Sequence, residues 1–134
     1  MKEFFFILDT TPMNASLSFD FCNIKVFDFY MIVTFNEGVT VTPKMNHTLI
    51  HVTETHFDDQ PFVYISNRVN SYAVNPEIYL DTAKIKNLKG LAIVSTNYQA
   101  KVNARIEKMF FSKPFETFSD IDDAIRWGQM LISR

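Results

Sequence analysis

Apolar and polar residues alternate over residues 17–24, with Leu17, Phe19 and Phe21 on one side and Ser18, Asp20 and Cys22 on the other. Successive side chains on a strand point to opposite faces, so this run predicts a half-buried strand. Residues 26–35 are rich in aromatic and β-branched types and predict a second strand. Asn36-Glu37-Gly38 then turns the chain into Val39-Thr40-Val41.

From there the period lengthens. Thr42-Pro43 offers an N-cap followed by proline at the first helical position, where its missing N–H costs nothing. Met45, Leu49, Val52 and His56 follow at helical spacing, with Ile50 and Phe57 widening the stripe. Asp58-Asp59-Gln60-Pro61 ends that helix. The short apolar run at residues 62–65 then has the pattern of a central strand covered on both faces.

Asn75-Pro76 repeats the cap-plus-proline signature, and Ile78, Tyr79, Thr82 and Ile85 mark one face of a second helix. Residues 90–94 predict another buried strand. Thr96 and Gln99 match a capping box, opening a third helix with Tyr98, Val102, Ile106, Met109 and Phe110 expected inward. A short strand at residues 114–118 precedes a final helix, capped by Ser119, with Ile121, Ala124, Ile125, Gly128, Leu131 and Ile132 on one side. Strands that alternate with helices imply right-handed crossovers and a largely parallel sheet, so the fold class is α/β with an antiparallel start.

Composition narrows this little. The 134 residues are 47% apolar, with 14 Phe, and 21% charged, which suits one globular domain with a sizeable core over residues 16–134. Residues 1–15 read as an apolar arm or extra strand. The apolar run at residues 4–8 is shorter than the roughly 7–15 residues of a secretory h-region. No stretch approaches the roughly 20 apolar residues of a membrane span. The expectation is a cytoplasmic protein without a transmembrane segment, its arm available for a homodimer by strand pairing.

A net charge of −2 gives no sign of nucleic-acid binding. Residues 82–114 are nevertheless basic, carrying seven Lys and Arg against Glu107 alone. Within them Lys101, Arg105 and Lys108 share one face of the third helix, either as a contact for an anionic partner or membrane surface, or as a solvated face.

Candidate chemistry is sparse. Cys22 is the only cysteine, has no basic or His neighbour in sequence, and reads as a small buried hydrophobe. His47, His51 and His56 lie on one helix, but no Glu completes an H-E-x-x-H zinc motif, and no metal or cofactor is expected. The three glycines are too far apart for a phosphate-binding loop. The pairs Asp58-Asp59 and Asp122-Asp123 sit at helix ends, the second where the helix dipole favours negative charge. One cluster stands out. Ser66, Asn67 and Arg68 follow the central strand at its carboxyl end, where open α/β sheets generally place ligand crevices. Arg68 is either a planar donor for carboxylate or phosphate, or the partner of a surface acid.

The order of elements, with GVTV entering the first helix, FVYISNRVNSYAVNP, IKNLKGLAIVS and IEKMFFSKPFETFSDIDDAIRW, resembles the SpoIIAA-like group of the STAS superfamily. Small bacterial STAS/SEC14 proteins, often of unknown function, are the nearest look-alikes. The resemblance covers about residues 16–133. It implies a mixed sheet of about four or five strands, antiparallel at the N-terminal edge and flanked by about four helices. It also implies a regulatory or interaction module. Phosphorylated relatives carry a Ser or Thr in a D-S-[ST]-G-like motif where the helix after the central strand opens. Here Ala73-Val74-Asn75-Pro76 stands there, and neither Ser71 nor Tyr72 matches the motif.

The resulting expectation is a non-enzymatic module that binds an unidentified protein partner through residues 66–77. Ser66, Asn67, Arg68, Ser71, Tyr72 and Asn75 are the contact candidates. A carrier of a small apolar or lipid ligand is the alternative, suggested by the richness in Phe and Met.

Overall fold

The structure, a computed structural model, describes residues 12–134; the apolar run at residues 4–8 lies outside them. Among the described residues eight strands and four helices follow in the order β1 (Ala15–Ser18), β2 (Cys22–Val26), β3 (Tyr30–Phe35), β4 (Thr40–Val41), α1 (Pro43–Phe57), β5 (Phe62–Asn67), β6 (Ala73–Val74), α2 (Ile78–Thr82), β7 (Leu88–Val94), α3 (Tyr98–Lys108), β8 (Phe115–Phe118) and α4 (Ile121–Ile132).

Six strands form one sheet in the order β1-β2-β3-β5-β7-β8. The first two pairings are antiparallel and the last three parallel. This is the expected mixed α/β sheet, with more strands than the expected four or five. The extra strand arises at the N-terminal edge. The alternating run over residues 17–24 is not one strand, because the chain reverses at residues 19–21 and the Phe19 amide donates to the Cys22 carbonyl at 2.8 Å. The run over residues 26–35 is broken in the same way, with the Phe27 amide donating to the Tyr30 carbonyl at 2.8 Å. Two sequence runs thus become three strands. A separate two-residue parallel pairing joins β4 to β6, matching Thr40 to Ala73 and Val41 to Val74.

The sheet divides the core in two. On one side Ile24, Met31, Val33, Phe62, Leu91 and Ile93 meet Leu49 and Val52 of α1, Ile78 and Tyr79 of α2, and Ala104 of α3. The other side holds Tyr30, Val63, Ile65, Ala92 and Val94 under Ala124 and Ile125 of α4. Central strand β5 buries Phe62 through Ser66, as a parallel strand covered on both faces must. Its alternation places Ser66 on the α1–α3 side with Phe62 and Tyr64.

Several local expectations shift by a residue or a face. Thr42 caps α1 as expected, accepting from the Met45 amide at 3.2 Å. His56 is exposed, and polar Asn46 and Thr53 occupy buried positions on α1, where Asn46 Nδ2 donates to Thr82 Oγ1 at 3.2 Å. Asn97, not Thr96, caps α3, its side chain accepting from the Ala100 amide at 3.0 Å. Asp120, not Ser119, caps α4, accepting from the Asp122 amide at 3.1 Å. In both cases the amide or carboxylate one residue later reaches the orphan N–H groups of the first turn.

The largest departure is the facing of α3. Tyr98, Ile106 and Met109, expected inward, are 75%, 52% and 82% exposed. The buried residues of this helix are Ala104 and Glu107. The physical reason lies just past the end of β5, at Arg68. No helix among the described residues is long and apolar enough to cross a membrane.

Candidate functional site

Beyond Ile65, β5 runs into polar residues while still between β3 and β7. The Arg68 amide donates to the Val94 carbonyl at 2.8 Å, extending the ladder by one bond past the strand. This holds the Arg68 backbone at the carboxyl end of the sheet. Its side chain then passes beneath α3, where Nη1 donates to Glu107 Oε2 at 2.7 Å and Nη2 donates to Glu107 Oε1. Both side chains are nearly buried, at 6% and 4% exposure. The fork-to-fork geometry is the strongest form of this pair, and it explains why α3 turns a carboxylate inward and its apolar stripe outward.

Four hydroxyl-bearing residues complete the cluster. Arg68 Nη2 also donates to Tyr79 Oη at 3.1 Å, and Tyr79 Oη donates to Glu107 Oε1 at 2.6 Å. Arg68 Nε donates to Ser66 Oγ at 3.4 Å, and Ser66 Oγ lies 3.1 Å from Tyr72 Oη. The guanidinium carbon stands 5.4 Å from the centre of the Tyr72 ring, within cation–π range. Tyr64 lies below, fully within the core. Burial opposes the charge on Arg68, but the hydrogen bonds to Glu107 and the neighbouring tyrosine oxygens more than offset it and hold the guanidinium charged. Burial also pushes Tyr64, Tyr79 and Tyr72 upward, against the lowering influence of Arg68. At neutral pH the cluster is one ion pair inside neutral phenols.

The loop between β5 and α2 is pinned by local bonds. Asn70 Nδ2 donates to the Phe35 carbonyl at 2.9 Å. The Ser71 amide donates to Glu37 Oε1 at 2.9 Å, and the Gly38 amide donates to the Ser71 carbonyl at 2.7 Å. Gly38 holds φ at +80°, which a residue with a Cβ adopts only with strain. Asn75 Oδ1 accepts from the Glu77 amide at 3.0 Å and so starts the turn into α2. Val69 projects outward at 70% exposure.

Two shallow clefts flank this loop. One, about 340 Å³, is bordered by Glu37, Arg68, Tyr72, Asn97, Gln99 and Asn103. The second, about 350 Å³, lies towards α2 and is bordered by Tyr72, Val74, Pro76, Asn103, Ile106 and Glu107. A third opening of about 720 Å³ lies across the carboxyl ends of β5, β7 and β8, and Asn67 borders it with Ser95, Thr96 and Asp120. In the interior, the gap bordered by Met31, Asn46, Leu49, Thr53, Tyr64 and Thr82 has no room for a water-sized molecule.

Of the residues singled out in the sequence, Ser66, Arg68 and Tyr72 meet in one cluster. Asn67 turns to the third opening, Ser71 holds the loop through its backbone, and Asn75 serves the turn. Lys101, Arg105 and Lys108 lie on α3 away from the cluster: Lys101 Nζ donates to Ser119 Oγ at 2.8 Å, and Lys108 Nζ lies 3.9 Å from Glu116. Cys22 is buried, and burial pushes its thiol up to about 12. His47, His51 and His56 are exposed, and among the described residues no group of three or more His, Cys, Asp and Glu could hold a metal.

Glu107 and Tyr79, a lone acid and a helix-face residue in the sequence, were not among the expected contact residues. A signal for Glu107 exists: Ala100, Ala104, Glu107 and Phe111 form a stripe as regular as the apolar one, with two alanines small enough for close packing on a sheet.

A crystal structure of an uncharacterized protein of the DUF3478 family with a SpoIIAA-like fold, from Shewanella loihica PV-4, superposes with a TM-score of 0.53, covering 87% of this chain and 98% of that one. The chain has a SpoIIAA-like fold. Identity to that protein is 18%, so the likeness is one of architecture. No family model and no curated protein matches the chain. The cluster lies where the central strand passes into the loop before the next helix. Later in this loop Ala73 and Val74 pair with Thr40 and Val41 in a small ribbon.

Proposed function

We propose that the chain is a non-enzymatic regulatory or protein-interaction module whose working surface is the loop of residues 66–77 with the clefts beside it. The observation that supports this reading is the commitment of Arg68. Its guanidinium is bound by Glu107, Tyr79 and Ser66, so the one strong anion-binding group of the segment is spent internally. A nucleophile needs an adjacent base, and Ser66 Oγ instead meets a phenol and the guanidinium Nε, neither of which accepts a proton at neutral pH. The cluster fixes a loop shape, and the loop presents Val69, Ser71 and Asn75 to solvent.

The test is site-specific photo-crosslinking of the full chain in its own cells, with the reactive residue at Val69 and, as control, at exposed Met130 on α4. The expected result is one protein crosslinked at Val69 and not at Met130. Equal or absent products at the two positions would remove the basis for this surface. The alternative, a carrier of a small apolar or lipid ligand, is tested by organic extraction of the purified full chain. A stoichiometric apolar ligand in the extract would displace the interaction reading.

A further inference from the structure

With about 100° per residue, an α-helix divides α3 into clear faces. Ala104 and Glu107 face the sheet. Directly opposite them, Tyr98, Val102, Ile106 and Met109 form an apolar line along the outside of the helix. Three of the four are among the exposed large apolar side chains of the described residues. One flank of this line carries Lys101, Arg105 and Lys108, and the other carries Gln99 and Asn103 beside the clefts. An amphipathic helix normally buries its apolar stripe, and here the Arg68–Glu107 pair turns that stripe to solvent. Exposed apolar residues gathered on one helix face, with half-buried Val102 between them, mark a contact surface.

We infer that the outer face of α3 is a docking surface for an acidic amphipathic helix of a partner protein, lying alongside α3. This rests on the reading of the chain as an interaction module and names the chemistry of its partner. Charge complementarity selects the occupant. A partner helix with an apolar stripe would cover Tyr98, Val102, Ile106 and Met109, and an acidic row beside that stripe would meet the basic flank. Arg105 has no ion-pair partner among the described residues, while Lys101 and Lys108 make only exposed contacts. The basic residues occupy one flank only. That asymmetry fits an occupant with distinct sides, as a helix has, better than an isotropic lipid surface. Among the described residues a second copy offers a poor complement, since Leu80, next to Glu77 and Asp81, is a single apolar residue and not a stripe.

The experiment titrates full-length ¹⁵N-labelled protein with three probes: a Leu/Glu amphipathic helical peptide, the same peptide with Lys in place of Glu, and phosphatidylcholine–phosphatidylglycerol vesicles. Expected are shifts confined to residues 98–109 with the Leu/Glu peptide, and weakening by at least about tenfold in Met109→Glu and in the Lys101→Glu/Arg105→Glu double variant. The double variant should instead take the Leu/Lys peptide at the same face. Arg105 and Met109 are exposed and Lys101 makes one exposed bond, to Ser119, so folding is checked by an unchanged circular dichroism spectrum. Equal response to both peptides, binding to vesicles in place of the Leu/Glu peptide, concentration-dependent self-association through the same residues, or no response at residues 98–109 would each overturn the inference. If Val69 crosslinks a partner while α3 stays silent, the interaction reading stands and the α3 surface falls; silence at both rejects both.

Discussion

Removing either half of the Arg68–Glu107 pair should destabilise the protein far more than removing both. The pair is bidentate, and the two side chains are 6% and 4% exposed. In Arg68→Met the Glu107 carboxylate keeps only the Tyr79 hydroxyl as a donor inside the core. In Glu107→Leu the guanidinium keeps Ser66 and Tyr79 but no counter-charge. Stranding one charge of a buried pair costs about 3–5 kcal/mol. With a scale of roughly 3–5 °C per kcal/mol for a chain of this size, each single variant should melt about 10–20 °C lower. Arg68→Met/Glu107→Leu removes both charges and leaves the Tyr79 hydroxyl without Arg68 and Glu107, a cost of about 1–3 kcal/mol, while Ser66 keeps Tyr72. The double variant should therefore be more stable than either single one, with a coupling energy of several kcal/mol against additivity. Urea unfolding followed by Trp127 fluorescence and by far-ultraviolet circular dichroism measures all four proteins. Single-variant losses below about 1 kcal/mol, the range of exposed ion pairs, or additive losses in the double variant would refute the buried-pair reasoning.

Stability should fall on the alkaline side. Burial raises Cys22 from 9.0 to about 12 and Tyr30 from 10.0 to about 12, and raises Tyr64, Tyr72 and Tyr79 as well. Above the ordinary thiol and phenol values the unfolded chain has lost protons that the folded chain retains, so unfolding gains as pH rises. The urea midpoint should hold at pH 7–8 and drop from about pH 9, by up to about 1.4 kcal/mol per pH unit for each group in its window; Cys22→Ala should remove the first part of the drop. A midpoint unchanged to pH 11 would contradict the burial of these groups. Gly90→Ala should cost about 1–3 kcal/mol by overpacking. Its Cβ would stand 2.6 Å from Leu131 Cδ1, 2.8 Å from Trp127 Cη2 and 3.2 Å from the Pro114 carbonyl oxygen. Differential scanning calorimetry checks this, and an unchanged melting temperature would mean that α4 packs less tightly on β7.

Some of the molecule was legible in its residues and some was not. Strands β5 and β7 were readable because a strand covered on both faces must be apolar throughout, and both are bounded by turn residues. Helices α1 and α4 announced themselves through apolar stripes that do face the core. The two N-terminal hairpins were hidden because their turns at residues 19–21 and 27–29 contain no Gly or Pro and continue the aromatic pattern. The inward face of α3 was misread because periodicity counts apolar residues alone, while the residue that decides the facing is a glutamate. Its partner Arg68 lies 39 residues away in sequence. The polar end of β5 was correctly placed as a cluster, but whether Arg68 turned outward to a ligand or inward to an acid depended on that distant pairing.

The commitment of Arg68 is the feature on which the functional reading turns, and its guanidinium can be observed directly. Nuclear magnetic resonance of arginine-labelled full-length protein at neutral pH resolves side-chain N–H exchange and response to added phosphate. The expected result is a slowly exchanging Arg68 guanidinium whose signals do not move with millimolar phosphate and collapse to fast exchange in Glu107→Gln. Rapid exchange in the native protein, or a saturable phosphate shift at Arg68, would contradict it and make the end of β5 an anion-binding site.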